Sequence, residues 1–167
     1  MLMRHLLAIA MPFFMAVVVP VWLARLNNVH LAPSDVGSQI VVQFAGLFLL
    51  AIGLTLFVSS LWRFAGDGKG TLAPWDPPRR LVISGPYRYV RNPMISGVVF
   101  VLFGEALLLL SRPHFTWAVT FLVINVIYIP LLEEPQLRER FGAAYDEYCR
   151  HVPRLLPRLR PFTGDSP

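Results

Sequence analysis

Four long runs of apolar residues are the feature that most limits what this chain can fold into. They cover residues 6–26, 40–62, 94–111 and 115–132. Each has about 18 to 23 residues, enough to cross a hydrocarbon core of roughly 30 Å as an α-helix that rises about 1.5 Å per residue. The third and fourth runs are separated only by Arg112, Pro113 and His114, which predicts a tight helical hairpin. We therefore predict an all-α integral membrane protein with about four transmembrane helices.

The overall composition also indicates a protein that is partly surrounded by lipid. Only 15% of the 167 residues are charged and 55% are hydrophobic, whereas a soluble domain has about 25% charged residues. This length suits a single membrane domain over 1–167. A cleaved signal peptide is the alternative interpretation of the first run. It is disfavoured because the run is too long for a typical signal core and no small-x-small cleavage site follows it.

Basic residues are distributed unevenly between the two ends of these helices. Thirteen of the fifteen lysines and arginines fall on one side, and only Arg25 and Arg112 fall on the other. Because loops rich in Lys and Arg stay in the cytoplasm, both termini and the loop 63–93 are predicted to be cytoplasmic. This orientation and contact with membrane lipids explain the net charge of +5, so we expect no nucleic-acid partner. Cys149 is the one cysteine and the sequence has no cluster of metal ligands, so we expect no metal.

Two segments on the basic side lie outside the apolar runs. The loop 63–93 is rich in glycine and proline, which predicts an irregular but restrained conformation. The tail over 133–152 has apolar residues at three- and four-residue steps, which predicts a cytoplasmic amphipathic helix. Those apolar residues are Leu137, Phe141, Tyr145, Tyr148 and Val152. Two compatible roles remain open for this helix: it lies on the membrane surface, and it covers a cytoplasmic pocket.

The segment from Gly85 to Gly97, GPYRYVRNPMISG, carries the strongest indication of a binding site. Asn92 is placed to cap the third helix and Pro93 to occupy its first turn. A helix amino terminus offers unpaired N–H groups and a partial positive charge, which suit a carboxylate or phosphate, and Arg91 lies beside it. The alternative is an ordinary helix start whose tyrosines and arginines anchor it in the membrane interface.

Three acidic residues stand out because acids are rare in and beside apolar runs. Glu133 and Glu134 follow the fourth run, on the same predicted side as Asn92. They either cap the next helix or bind hydroxyl or cationic groups of a ligand. Glu105 lies inside the third run, where a charge costs at least about 2.5 kcal/mol. It is predicted to face the interior, either hydrogen-bonded across the hairpin to Thr120 or lining a substrate tunnel.

The segment GPYRYVRNPMISG, followed by LLEEPQLRERFGAAYDEYCRHVPRLLP, resembles the isoprenylcysteine carboxyl methyltransferase and phospholipid methyltransferase superfamily. The similarity covers residues 70–157 and implies a membrane enzyme that binds S-adenosylmethionine at the cytoplasmic face. Carried over position by position, it implies cofactor contacts from Arg80, Leu81, Val82, Tyr87, Arg91, Asn92, Pro93, Met94, Gly97, Glu133 and Glu134. Arg91 and Glu133 are the candidates for positioning the reactants, and no catalytic nucleophile is implied.

Departures from that family pattern bear on the methyl acceptor. Ile95 stands where the family commonly has a tyrosine, and Asn92 replaces the histidine of the eukaryotic enzymes, as in many bacterial relatives. The eukaryotic carboxyl methyltransferases have a carboxylate-binding arginine just before the acidic pair, where this chain has Tyr128-Ile129-Pro130. A prenylcysteine carboxylate is therefore disfavoured as the substrate. Tyr128 and Glu105 are the candidates for substrate contact.

The resemblance implies methyl transfer to a lipophilic small molecule or lipid, and a bacterial inner membrane is the expected location. Two other functions remain open. An NADPH-dependent sterol-type membrane reductase has a similar R-x-P-x-Y-x-G element, but such proteins have many more spans. A non-catalytic small membrane protein, such as a transporter, would bind no cofactor. A transporter would also show internal repeats or broken helices, which this sequence lacks.

Overall fold

The computed structural model of the chain describes residues 10–31, 36–67 and 81–163, and its regular elements in these ranges are all helical. The main helices are α1 (Ala10–Leu26), α2 (Gly37–Asp67), α3 (Pro93–Leu108), α4 (Arg112–Tyr128), α5 (Glu134–Phe141) and α6 (Ala143–His151). Shorter elements are π-helical turns at Phe14–Val18 and Ile129–Glu133 and a 3₁₀ turn at Gly85–Arg88. The all-helical prediction is confirmed for this part of the chain. The start of the first predicted run, residues 68–80 of the predicted loop and the predicted contact Arg80 lie outside the described residues.

Among the described residues, two helices are long and apolar enough to cross a membrane. They are Gly37–Arg63, with 27 residues, and Arg112–Phe141, with 30 residues, which joins α4 to α5. The helices α1 and α3 are apolar but shorter. Large apolar side chains such as Phe44 and Phe48 of α2 are exposed, which suits contact with lipid tails. Where the sequence predicts four spans, the structure thus has two candidate spans and two shorter apolar helices.

The helices α2 and α3 approach each other most closely at two pairs of glycines. Gly46 of α2 faces Gly104 of α3, and Gly53 faces Gly97. A Cβ atom added at Gly53 would lie 2.7 Å from the Gly97 carbonyl oxygen, and one at Gly104 would lie 2.8 Å from the Gly46 carbonyl oxygen. Small residues permit this close approach between membrane helices. The structure therefore places Gly97, a predicted cofactor contact, against α2.

The π-helical turn of α1 leaves a backbone carbonyl for α4 to bind. Val19 donates its N–H five residues back, to the Phe14 carbonyl oxygen. The next donor in this pattern would be Pro20, which has no N–H. The Met15 carbonyl oxygen is therefore without its helical donor, and Trp117 Nε1 of α4 donates to it at 3.1 Å.

His114, to which the sequence analysis assigned no role, makes a second connection between α4 and α1. Its Nε2 lies 3.1 Å from the Pro20 carbonyl oxygen, and its Nδ1 lies 2.7 Å from Ser111 Oγ. Since a carbonyl oxygen only accepts, Nε2 carries the proton and Nδ1 accepts from the serine hydroxyl. The ring is buried and both its nitrogens have partners, so His114 holds the helices together.

Replacing Trp117 by phenylalanine should lower the free energy of unfolding by about 1–2 kcal/mol, because the Met15 carbonyl oxygen would lose its donor. Thermal unfolding of the detergent-solubilised protein, followed by circular dichroism, measures this change. The control is Trp22→Phe, which alters an exposed tryptophan on α1. Equal losses in the two variants would show that the hydrogen bond to Met15 is not responsible.

The helix predicted over 133–152 is interrupted. One helix, α5, ends at Phe141, and α6 begins at Ala143. Between them Gly142 adopts a φ of 55°, a left-handed conformation that glycine accepts readily. The prediction of a separate helix after the fourth span is also corrected, because α4 continues through the π-helical turn into α5. Pro135 lies in the first turn of α5, a position where proline is common.

The apolar face of this tail packs against the protein. Tyr145, Tyr148 and Val152 form a buried cluster with Leu81 and Ile83. This is the three- and four-residue pattern seen in the sequence, and its partner is the segment that precedes the 3₁₀ turn. The tail therefore packs over Leu81 and Ile83, and its two predicted roles, on the membrane surface and over a cytoplasmic pocket, stay predictions.

Candidate active site

The third helix, α3, begins at the residues that the motif indicated. Asn92 precedes Pro93, the first helical residue, and its carbonyl oxygen accepts from the Ser96 N–H at 2.9 Å. The Asn92 side chain makes no capping hydrogen bond, contrary to the prediction. Because Pro93 has no N–H, Met94 and Ile95 supply the first-turn donors that have no partner within the helix.

The chain after α6 runs back along the start of α3. The Arg91 N–H donates to the Pro153 carbonyl oxygen at 2.8 Å, and the Asn92 N–H donates to the next carbonyl oxygen along, at 3.2 Å. The Ser96 hydroxyl donates to the carbonyl oxygen after that, at 2.6 Å. We call residues 153–162 the C-terminal strap. These bonds fix the strap to the segment that the motif singled out.

Glu134, the second acid of the predicted pair, is enclosed between two arginines. Arg154 Nε and Nη2 donate to its two carboxylate oxygens at 2.6 and 3.0 Å, and Arg91 Nη1 lies 3.1 Å from Oε1. The side chains of Arg91 and Glu134 are only 10% and 5% exposed, so salt screens their ion pair weakly. Both oxygens of Glu134 are thus used within the protein, and they hold Arg91 beside the start of α3.

Arg91 keeps one buried donor for which the described part of the chain offers no acceptor. Its Nη1 contacts Glu134 and also lies 2.6 Å from Cys149 Sγ. Its buried Nε, however, has no hydrogen-bond partner among the described residues. Leaving such a donor unpaired costs about 1–3 kcal/mol. This atom therefore suits an acceptor that a ligand supplies.

Tyr87 and Glu133 bring the two sequence motifs together a second time. Burial, and then the neighbouring Glu133 carboxylate, raise the pKa of Tyr87 above its ordinary value. The Tyr87 side chain is buried, and its carbonyl oxygen accepts from the Tyr148 hydroxyl at 2.6 Å. Glu133 is half-buried. The segment before α3 and the acidic pair after α4 therefore meet at one end of the helices.

The other predicted site residues lie elsewhere. Leu81 is part of the cluster beneath α6, and Val82 next to it is also buried. Glu105 follows Pro93 by twelve residues, about 18 Å along a helix. Tyr128 is exposed at the end of α4. Substrate contact by these last two residues stays a prediction.

The hydrogen bond predicted between Glu105 and Thr120 is wrong. The Thr120 hydroxyl donates to the Thr116 carbonyl oxygen of its own helix, at 2.8 Å. Glu105 Oε2 is buried and has no hydrogen-bond partner among the residues described. The carboxyl group thus lies in the interior, as predicted.

Sequence reasoning gave no site role to Arg154 or Ser96, and it described Tyr148 only as an apolar residue of the tail helix. Arg154 is twenty residues from Glu134, and only the reversal of the chain after α6 brings it back. The sequence around Arg154, which lies in a tail with several other arginines, gives no indication that it pairs with Glu134. Within the described ranges, no group of three or more His, Cys, Asp and Glu residues is placed to hold a metal ion.

The fold and site define a membrane protein whose predicted site residues converge at one end of its helices. More narrowly, the chain belongs to the phospholipid methyltransferase family, whose model matches residues 41–144 and so includes Arg91, Glu133 and Glu134. This confirms the family resemblance found in the sequence. The match favours this family over the sterol-type reductases.

A curated relative extends this comparison. Phosphatidylethanolamine N-methyltransferase 1 of Vanderwaltozyma polyspora is 35% identical over 106 residues, which are 63% of this chain. The aligned part is 12% of that relative, so the chain corresponds to a small part of its length. No solved structure matches the chain.

Proposed function

We propose that this chain is an S-adenosylmethionine-dependent methyltransferase that acts on a lipophilic acceptor in the membrane. Its membership in the phospholipid methyltransferase family supports this activity. The observation that carries the proposal is the convergence of the two motifs. Arg91, just before α3, lies 3.1 Å from Glu134, just after the π-helical turn that follows α4.

In this proposal the site lies at the cytoplasmic face of four transmembrane helices. The short helix α3 has 16 residues, or about 24 Å, so it spans a core that is locally thinned around it. The orientation rests on the lysines and arginines, of which thirteen fall on the side of the site. Both termini are then cytoplasmic, and we propose the bacterial inner membrane as the location.

The residues of the site suit the groups that S-adenosylmethionine presents. Its carboxylate would accept from Arg91 Nε, the buried donor that has no partner among the described residues, and from the first-turn N–H groups of α3. Glu133 would accept from its hydroxyl or amino groups. The Tyr87 ring would stack on adenine or attract the sulfonium through a cation–π contact of about 0.5–2 kcal/mol.

The two acids of the pair take different roles in this proposal. Glu134 is committed to Arg91 and Arg154, so it positions Arg91 and does not contact the cofactor. Glu133 is the acid left for the cofactor. This differs from the family-based expectation that both acids bind it.

For this reaction the chain mainly has to bind the two reactants, orient them and exclude water. S-adenosylmethionine supplies an electrophilic methyl group on a sulfonium, which an acceptor takes by in-line displacement. Such a reaction gains from fixed geometry and from a dry site. The tail helix α6 and the strap cover residues 81–92, and this cover would keep water from the reacting groups.

We propose a lipid amine as the class of acceptor. The curated relative is named for N-methylation of phosphatidylethanolamine, which supports an amine. An amine also needs no arginine before the acidic pair, and Tyr128-Ile129-Pro130 has none. Tyr128 and Glu105 remain candidates for lining the path of the acceptor within the membrane.

Calorimetric titration of detergent-purified protein with S-adenosylhomocysteine, S-adenosylmethionine and NADPH tests this function. We expect saturable binding of the first two and none of NADPH. Glu133→Gln should weaken S-adenosylhomocysteine binding by roughly tenfold or more, because a hydrogen bond to a charged group contributes about 1.5–3 kcal/mol. Glu139→Gln, which changes an exposed acid on α5, is the matched control and should bind as the unaltered protein does.

Two results would contradict the proposal. Saturable binding of NADPH alone would support the reductase instead. Unchanged S-adenosylhomocysteine binding in folded Glu133→Gln and Asn92→Ala proteins would place the cofactor elsewhere.

A further inference from the structure

The C-terminal strap combines positive charge with exposed apolar side chains. Residues 153–162 contain three arginines and no acidic residue. Leu156 and Leu159 are 73% and 98% exposed. Leucines this exposed, set among arginines, are typical of segments that contact a lipid surface.

Backbone bonds place the strap beside the start of α3. The Ser96 hydroxyl, one turn into α3, donates to the carbonyl oxygen of the residue before Leu156. Further along, the Arg158 N–H donates to the Tyr89 carbonyl oxygen at 3.0 Å. Leu156 is thereby held level with the first turn of an apolar helix, which is where the membrane interface would begin.

The outer arginines of the strap are free of acidic partners. Among the described residues, neither Arg158 nor Arg160 forms an ion pair with an acid. One guanidinium nitrogen of Arg158 donates to the His151 carbonyl oxygen at 2.5 Å, and Arg160 is exposed. Arg154, by contrast, is paired with Glu134 and belongs to the site. The charge at the outer end of the strap is therefore available to an external anion.

We propose that the strap binds the anionic phospholipid headgroups of the membrane that holds the protein. Arg158 and Arg160 contact the headgroup phosphates, and Leu156 and Leu159 enter the boundary between headgroups and acyl chains. Each arginine that reaches an anionic surface strengthens attachment by roughly fivefold. This role goes beyond methyl transfer and does not depend on it.

An environment-sensitive dye at position 159 tests this proposal. The labelled protein carries Leu159→Cys in a Cys149→Ser background, where serine keeps an acceptor for Arg91, and thermal unfolding checks its fold. It is placed in nanodiscs of phosphatidylcholine with increasing phosphatidylglycerol. We expect the dye emission to shift to the blue as the anionic fraction rises, and to return at high salt. Adding Arg160→Gln should raise the phosphatidylglycerol fraction needed for half of this shift roughly fivefold.

The control places the same dye at position 139, on the exposed face of α5, through Glu139→Cys. Its emission should not depend on lipid charge. Three outcomes would overturn the proposal. They are no blue shift at position 159 in either kind of nanodisc, an equal blue shift in both, and a shift in detergent that grows with protein concentration. The last would indicate contact between copies of the chain.

Discussion

Gly53→Leu should prevent α2 and α3 from packing closely and so lower the free energy of unfolding by about 3 kcal/mol or more. A Cβ atom added at Gly53 would lie 2.7 Å from both the Gly97 carbonyl oxygen and the Val101 nitrogen. These are backbone atoms, so no rotamer change relieves the contact. The helices must separate, and the second glycine pair must separate with them. Gly53→Ala should cost less, about 1–3 kcal/mol, because only one carbon is added.

Thermal unfolding in detergent, followed by circular dichroism, measures the stability of both variants. The control changes a glycine whose added Cβ atom would meet no other atom. Gly37 begins α2, and a Cβ atom there would have nothing within 4 Å. Gly37→Ala is therefore expected to leave the unfolding temperature unchanged or to raise it. If Gly53→Leu unfolds at the temperature of the Gly37→Ala protein, the close α2–α3 contact does not exist in the folded protein.

Glu134→Gln should destabilise the protein by about 3–5 kcal/mol, because it leaves two arginines facing a neutral group. The side chain of Arg91 is only 10% exposed, so water cannot replace the lost carboxylate. Glu133→Gln should have a small effect on stability by comparison. This difference would show that Glu134 stabilises the fold and that Glu133 does not, which agrees with the proposed cofactor contact of Glu133.

Thermal unfolding of Glu134→Gln, Arg154→Gln and the double variant tests this role. The double variant should lose less stability than the sum of the single losses, because Arg154 and Glu134 share one ion pair. Glu139→Gln serves as the control for an exposed acid on the same helix. Additive losses in the double variant, or a loss in Glu134→Gln no larger than in the control, would show that the arginines do not depend on Glu134.

The sequence predicts the helical part of this protein well for a physical reason. A long apolar run is stable in lipid only as a structure that satisfies its own backbone hydrogen bonds, so length and composition are enough to indicate a helix. The break in the tail over 133–152 was harder to predict, because the apolar spacing is the same whether the helix is continuous or broken. Only the left-handed conformation of Gly142 shows that α5 and α6 are separate.

The candidate site was predictable in part. The residues around Arg91 and the acidic pair were found because both motifs resemble those of a known family. The pairing of Glu134 with two arginines was not predicted, because a glutamate that binds an arginine and a glutamate that binds a ligand look the same in a sequence. Gly97 is a similar case: its motif suggested a cofactor contact, whereas the structure places it against Gly53.

The sequence by itself determined that this chain is an apolar helical protein with one basic side, because these properties depend on composition and on spacing along the chain. It also determined the family, through two motifs. The tertiary structure decided which distant residues meet: Glu134 with Arg91 and Arg154, Trp117 with Met15, and the strap with the start of α3. Such contacts depend on how the helices cross and where the chain reverses its direction. The local sequence around each residue indicates neither of these.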